Sequence, residues 1–270
     1  PAVGAARDAG VPLVVTLHGG DAYPRLGRGA GAAWNARNRR ASFEGASRLL
    51  AVSSYLADVA LDAGADPQRL SVHYQGVDTH WWTPAPNTAG PCEEPVVLFV
   101  GALSRLKGVD DLARASATLV GRRPHRLVLV GDGPLEAGLR ECAPAHVTFA
   151  GQLDRAGVRE WMRRAHLLVL PTKPTQGRQE AAGLVLLEAQ ACGVPVIAYR
   201  TGGTPEMIAP GASLLTQERL PDALARSIDE ALAWSEDERA DRGAACRAWV
   251  TRERSLRGSV DQLRETYADV

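Results

Sequence analysis

Between residues 96 and 208 one pattern repeats five times: a short apolar run, a loop rich in glycine or proline, and a helix-forming stretch. The apolar runs lie near 96–100, 126–130, 146–149, 167–170 and 194–198. The helical stretches lie near 108–121, 134–141, 155–165, 183–192 and 203–208. Continuous apolar strands suit a sheet covered by helices on both faces, and strand–helix alternation at this spacing makes such a sheet parallel and doubly wound. The fold class is therefore α/β. After Leu215 the chain reads as mainly helical, near 221–234, 236–250 and 255–267.

A shorter region of the same kind precedes it. The run 12–17 is apolar and β-branched, 31–47 is a polar, Arg-rich helix, and 48–52 is a second buried strand. Ser53 and Ser54 stand at a helix N-cap before Tyr55, Gly64 stops that helix, and 70–74 is a third strand. Residues 1–10 read as the end of a helix. Residues 83–95 lose periodicity and carry Pro84, Pro86, Gly90 and Pro91, so they read as a linker. This divides the chain into an incomplete Rossmann-like unit (1–82), the linker, a second unit (96–252), and a last helix (253–270) expected to pack back toward the first unit.

Composition narrows the functional classes. Lys plus Arg and Asp plus Glu both number 31, so net charge gives no reason to expect a nucleic-acid partner. Cys92, Cys142, Cys192 and Cys246 form no Cys-x-x-Cys pair and no ligand spacing with a histidine, so no metal site is expected; they read as reduced thiols of a cytosolic protein. No apolar run approaches the ~18 residues of a membrane span. The chain also lacks the P-loop pattern and a nucleophile elbow.

Open α/β sheets bind ligands beyond the carboxyl ends of their strands, so the loops that follow strands carry the chemistry. After 96–100 come Arg105 and Lys107 ahead of a helix, a setting for a diphosphate or simply a solvated loop. Gly131-Asp132-Gly133-Pro134 reads as a tight turn. After 167–170, Glu180 precedes an apolar helix that begins near Gly183, Leu184 and Val185, and Glu188 lies inside it. A carboxylate there is costly unless it accepts hydrogen bonds, for which ribose hydroxyls would serve; partial exposure or an arginine partner would serve as well. Gly202-Gly203 either bounds a pocket or merely connects elements. His18-Gly19-Gly20-Asp21 ends the first strand and could face a cleft or be structural.

In this order the segments resemble family-four glycosyltransferases, retaining enzymes of the GT-B fold with two Rossmann-like domains. The carriers are 14–21, Ala51-Val52-Ser53, Gln75-Gly76-Val77-Asp78-Thr79, Phe99-Val100-Gly101 with Lys107-Gly108-Val109-Asp110, 130–134, and 180–196. The resemblance implies transfer of a sugar from a nucleoside-diphosphate sugar to an acceptor hydroxyl, in polysaccharide or glycoconjugate synthesis, without cofactor or metal. Lys107 would hold the diphosphate, Glu180 the donor sugar and Glu188 the ribose. Amides at 183–185 would meet the phosphates, Leu153 would lie near the base, and His18, with Gly19 and Asp21, would lie near the reacting sugar. The Gln75-Gly76-Val77-Asp78 variant is similar to exopolysaccharide-type, colanic-acid-like members.

Two departures stand out. The family's Gly-Arg-Leu is Gly101-Ala102-Leu103 here, leaving Arg105 as a substitute, and only about 80 residues precede the linker against the ~100–150 of an ordinary domain. The resemblance implies a cytoplasmic protein and is compatible with peripheral contact at the inner membrane face. The acceptor stays open: a sugar, a lipid-linked sugar or a small molecule. The rival readings are a non-catalytic nucleotide-sugar-binding remnant, or a GT-B sugar-nucleotide epimerase or phosphorylase.

Overall fold

A computed structural model describes residues 2–23, 30–85 and 94–270. The first unit runs α1 (Ala2–Ala9), β1 (Val14–Leu17), α2 (Ala30–Gly45), β2 (Arg48–Ala51), α3 (Ser54–Asp62) and β3 (Leu70–Val72). Its three strands are parallel in the order β1-β2-β3, with Val15 opposite Leu49 and Leu50 opposite Ser71. Ser53 caps α3, as its position before an apolar run predicts; its hydroxyl accepts from the Leu56 amide.

The second unit runs β4 (Val96–Val100), α4 (Val109–Leu119), β5 (Arg126–Val130), α5 (Glu136–Glu141), β6 (Val147–Gly151), α6 (Arg155–Arg164), β7 (Leu167–Leu170), α7 (Leu184–Ala191) and β8 (Val196–Tyr199). A 3-10 turn at Thr204–Met207, β9 (Leu214–Thr216), α8 (Pro221–Leu232), α9 (Glu236–Glu253) and α10 (Leu256–Ala268) complete it. The sheet is wholly parallel in the order β6-β5-β4-β7-β8-β9. Counted within this unit the order is 3-2-1-4-5-6, so the winding reverses between β4 and β7, where a crevice opens beyond the strand ends. Val97–Phe99, Leu127–Leu129, Leu167–Leu170 and Val196–Tyr199 are wholly buried, as the unbroken apolar runs require. Each Val, Leu, Ile or Phe side chain among them contributes roughly 1.5–3 kcal/mol on burial.

Two details differ from the sequence reading. The sixth strand, β9, was not foreseen; three residues offer too little periodicity to read. The stretch near 203–208 is one 3-10 turn, because Pro205 sits at its start and only four residues are available. Of the linker, 86–93 lies outside the described residues, and Cys92 with it.

Gly108 brings the β4 and β7 loops together. Its φ is +70°, and a Cβ there would lie 1.8 Å from the Pro171 carbonyl oxygen, so no side chain fits. The two units also touch directly. The Glu206 carboxylate accepts from the Ser54 and Tyr55 amides at 2.7 and 3.0 Å, at the N-terminus of α3. Val77 exchanges backbone hydrogen bonds with Arg254 and Leu256 at 2.9 and 2.8 Å, and the Ser259 hydroxyl donates to the Tyr74 carbonyl at 3.1 Å. Three arginines clasp the segment that leaves the first unit. Arg247 donates to the carbonyls of Thr79, Trp82 and Ala191, Arg163 to Thr83, and Arg159 to the Trp81 carbonyl.

Candidate active site

A cleft of about 370 Å³ opens where the winding of the larger sheet reverses. Val100 and Gly101 line it from the end of β4, Leu153, Arg155 and Val158 from the loop after β6 and the start of α6, and Glu180, Gly183, Leu184, Val185 and Glu188 from the loop after β7 and from α7. Trp82 and Lys107 also line it.

The start of α7 faces this space. Gly183 is its N-cap, at φ +83° with no side-chain cap, and Gly183, Leu184 and Val185 all line the cleft. Uncapped amides at a helix start, with the positive end of the helix dipole behind them, make a site for an anion. The Lys107 ammonium, also in the cleft, pairs with the Glu180 carboxylate. Neither side chain is fully exposed, at 26% and 14%, so the pair is partly shielded from water.

Glu188 sits one and a half turns into α7. Burial pushes its carboxyl up to about 7, opposed by the positive charge of Arg155. No hydrogen bond to this carboxyl is made among the described residues. A carboxyl so placed gains from any ligand that brings hydroxyl donors.

Of the residues singled out in the sequence, Lys107, Leu153, Glu180, Gly183, Leu184, Val185 and Glu188 all line this cleft. Four do not. Arg105 is exposed on the loop after β4 and outside the cleft lining. Arg155 occupies the cleft in its place as a second cation, its guanidinium 5.3 and 5.4 Å from the ring centroids of Trp81 and Trp82. His18 is exposed, and its Nδ1 is 3.2 Å from the Gln75 side-chain amide. Gly19 approaches the far side of the Glu180 loop: a Cβ on it would meet that of Ala181 at 3.3 Å. The Asp21 carboxylate accepts from the amides of His18, Gly19 and Ala22 at 2.8 to 3.1 Å, so it shapes the glycine loop. Arg155 and Trp82 were missed. Arg155 follows a strand, which was a usable signal, whereas Trp82 enters only through the clasp on its backbone.

Two parallel sheets, the larger wound in this order with a helix start, two cations and two carboxylates at its reversal point, define a protein built of two Rossmann-like units. Sequence comparison gives the family. Residues 94–233 match the model described as Glycosyl transferases group 1, and residues 1–81 match Glycosyltransferase Family 4. The chain belongs to the family-four glycosyltransferases.

Among curated relatives, a D-inositol 3-phosphate glycosyltransferase 2 of Catenulispora acidiphila is 37% identical over 171 residues, 56% of this chain and 39% of that protein. A D-inositol 3-phosphate glycosyltransferase of Pseudarthrobacter chlorophenolicus is 36% identical, over 74% of this chain and 51% of its own. A GDP-mannose-dependent monoacylated alpha-(1-6)-phosphatidylinositol monomannoside mannosyltransferase of Corynebacterium glutamicum is 34% identical, over 59% and 43%. The chain thus spans about half or less of the length of these three relatives. Among solved structures, Anabaena HepE in complex with UDP and glucose superposes at a TM-score of 0.82 with 24% identity, over 99% of this chain and 74% of that one. A sucrose-phosphate synthase of Thermosynechococcus elongatus superposes at 0.80 with 25% identity, over 96% and 68%. These likenesses fix the GT-B fold.

Proposed function

We propose that the chain binds a nucleoside-diphosphate sugar in the cleft at the β4–β7 reversal and transfers the sugar, with retention, to an acceptor hydroxyl. One observation carries this reading: seven residues drawn from three loops and the helix α7, each suited to a part of such a donor, line one cleft. Lys107 and the amides at the start of α7 receive the diphosphate and stabilise it as it leaves, the step on which the rate depends. Glu188 takes the ribose hydroxyls. Glu180 gives up Lys107 to the diphosphate and turns to the sugar. It orients that sugar and is no nucleophile; the two-carboxylate chemistry of glycoside hydrolysis does not apply. Arg155 adds the positive charge that Ala102 does not supply.

The acceptor enters from the side of His18 and the glycine loop. The relatives' names range from inositol phosphate to a mannosylated phosphatidylinositol, so a polyol or sugar hydroxyl is the chemistry proposed. A lipid-linked acceptor would bring the protein to the face of a membrane. Among the described residues no helix is long and apolar enough to cross one.

The test is calorimetric titration of variants with free nucleotides (UDP, GDP) and their sugar derivatives. Loss of a charge-assisted hydrogen bond costs about 1.5–3 kcal/mol, roughly ten-fold or more in affinity. Glu188→Ala is therefore expected to weaken nucleotide and sugar nucleotide alike. Glu180→Ala is expected to weaken only the sugar nucleotide and to leave the free nucleotide unchanged or tighter, since Lys107 is released. Equal losses of free nucleotide in both variants would overturn the division of roles.

A further inference from the structure

Glu180 is held in place from both units. Within its own unit, the Gly203 amide donates to the Glu180 carbonyl at 2.9 Å and the Gly202 amide to the Gln179 side chain at 2.9 Å. Neither glycine leaves room for a side chain: a Cβ on Gly202 would lie 2.2 Å from the Glu180 carbonyl oxygen, and one on Gly203 2.0 Å from that of Ala181. The Gly-Gly turn is thus the floor on which residues 179–181 rest.

The other side is supplied by the first unit. The Ser53 hydroxyl, wholly buried, donates to the Ala181 carbonyl at 2.6 Å and accepts from the Leu56 amide at 3.1 Å. Its one proton crosses between the units while a lone pair caps α3. The Tyr23 hydroxyl, itself bonded to that of Tyr55 at 2.9 Å, accepts from the Gln179 amide at 3.3 Å. The residues on either side of Glu180 are therefore tied to the first unit.

We infer that Ser53 is a positioning residue for Glu180: its hydroxyl fixes the loop from the opposite unit, so that the donor sugar is recognised only when the two units are docked. Ser53 lies outside the cleft lining and acts through the Ala181 carbonyl. The inference rests on the reading of Glu180 as the residue that meets the sugar. It makes the sugar end of the donor site a product of both units, whereas the nucleotide end belongs to the second.

Two substitutions separate this role from helix capping. Ser53→Ala removes both hydrogen bonds. Ser53→Asp keeps an acceptor for the Leu56 amide and, titrated at about pH 9 so that a buried carboxyl is ionised, has no proton for Ala181. Each is titrated beside Glu180→Ala with UDP, UDP-glucose, GDP and GDP-mannose, and the ratio of free-nucleotide to sugar-nucleotide affinity is read for the pair that binds. Both Ser53 variants are expected to lower the sugar nucleotide's relative affinity by about five-fold or more, the scale of a lost hydrogen bond, with the free nucleotide unchanged. A lowered melting temperature with an unchanged ratio, or an Asp variant that behaves as the unsubstituted chain, would reduce Ser53 to a cap and overturn the inference. If Glu180→Ala itself leaves the ratio unchanged, or if the unsubstituted chain binds neither pair, the reading of Glu180 fails first and this inference with it.

Discussion

At the scale of single residues, Glu188 carries the most informative electrostatics. Its carboxyl is held near 7 by burial, above the ordinary value of 4.5. The folded chain therefore binds this proton more tightly than the unfolded one. Stability from this group is fully present below pH 4.5 and is lost as pH rises through 7. Glu188→Gln cannot titrate, so its stability relative to the parent chain is expected to improve between pH 5 and 8, by on the order of 2 kcal/mol. Urea denaturation across that range checks it, and a constant difference would contradict the raised value. The ligand follows the opposite course. Ribose donors favour the carboxylate, so nucleotide affinity is expected to climb as pH passes 7, with the slope flattened in the glutamine variant.

At the scale of elements, the strands of the larger sheet were legible because each is a closed apolar run bounded by a turn. Their parallel pairing followed from the helices between them. Glu188 stood out as a candidate because a carboxylate inside Leu184–Leu187 and Ala189 contradicts its surroundings, and it lies in the cleft lining. Three things were not legible. The Lys107–Glu180 pair joins loops 73 residues apart. Arg105 and Arg155 both follow strands, and only packing decides which of them turns into the cleft. Gly202 and Gly203 read either as a pocket boundary or as a connector, and what holds them, the backbone that their missing side chains would strike, is set by packing. Gly108 belongs to the same kind. Gly108→Ala must move backbone in the loop that presents Lys107, so a loss of about 2–4 kcal/mol is expected. Denaturant titration reads it, and a change within 0.5 kcal/mol would mean that the loop yields freely.

At the scale of the molecule, the two sheets are joined by side chains that answer backbone groups. Arg247 is the centre of this arrangement, since it reaches carbonyls of Thr79, Trp82 and Ala191. Arg247→Ala would leave those carbonyls without their charged donor and free the segment that puts Trp82 beside the cleft. A stability loss of about 2–4 kcal/mol is expected, with weaker nucleotide binding although Arg247 does not line the site. Parental melting temperature and parental affinity together would show that the clasp is dispensable.

The pairing of Lys107 with Glu180 has a consequence for how a ligand arrives. Positive and negative side chains are equal in number, and the ammonium in the cleft already has its own counterion. An approaching nucleotide therefore meets Arg155 and the start of α7 at short range but little attraction from Lys107 or from the net charge, and added salt has little to screen. Its association rate is expected to change less than about two-fold between 20 and 300 mM salt, where a protein that steers its ligand slows steeply. Stopped-flow mixing measures this directly; a steep fall in rate would reveal an attracting field that the pair does not neutralise. Discrimination then falls to dissociation, governed by how completely a ligand replaces the internal partner of Lys107.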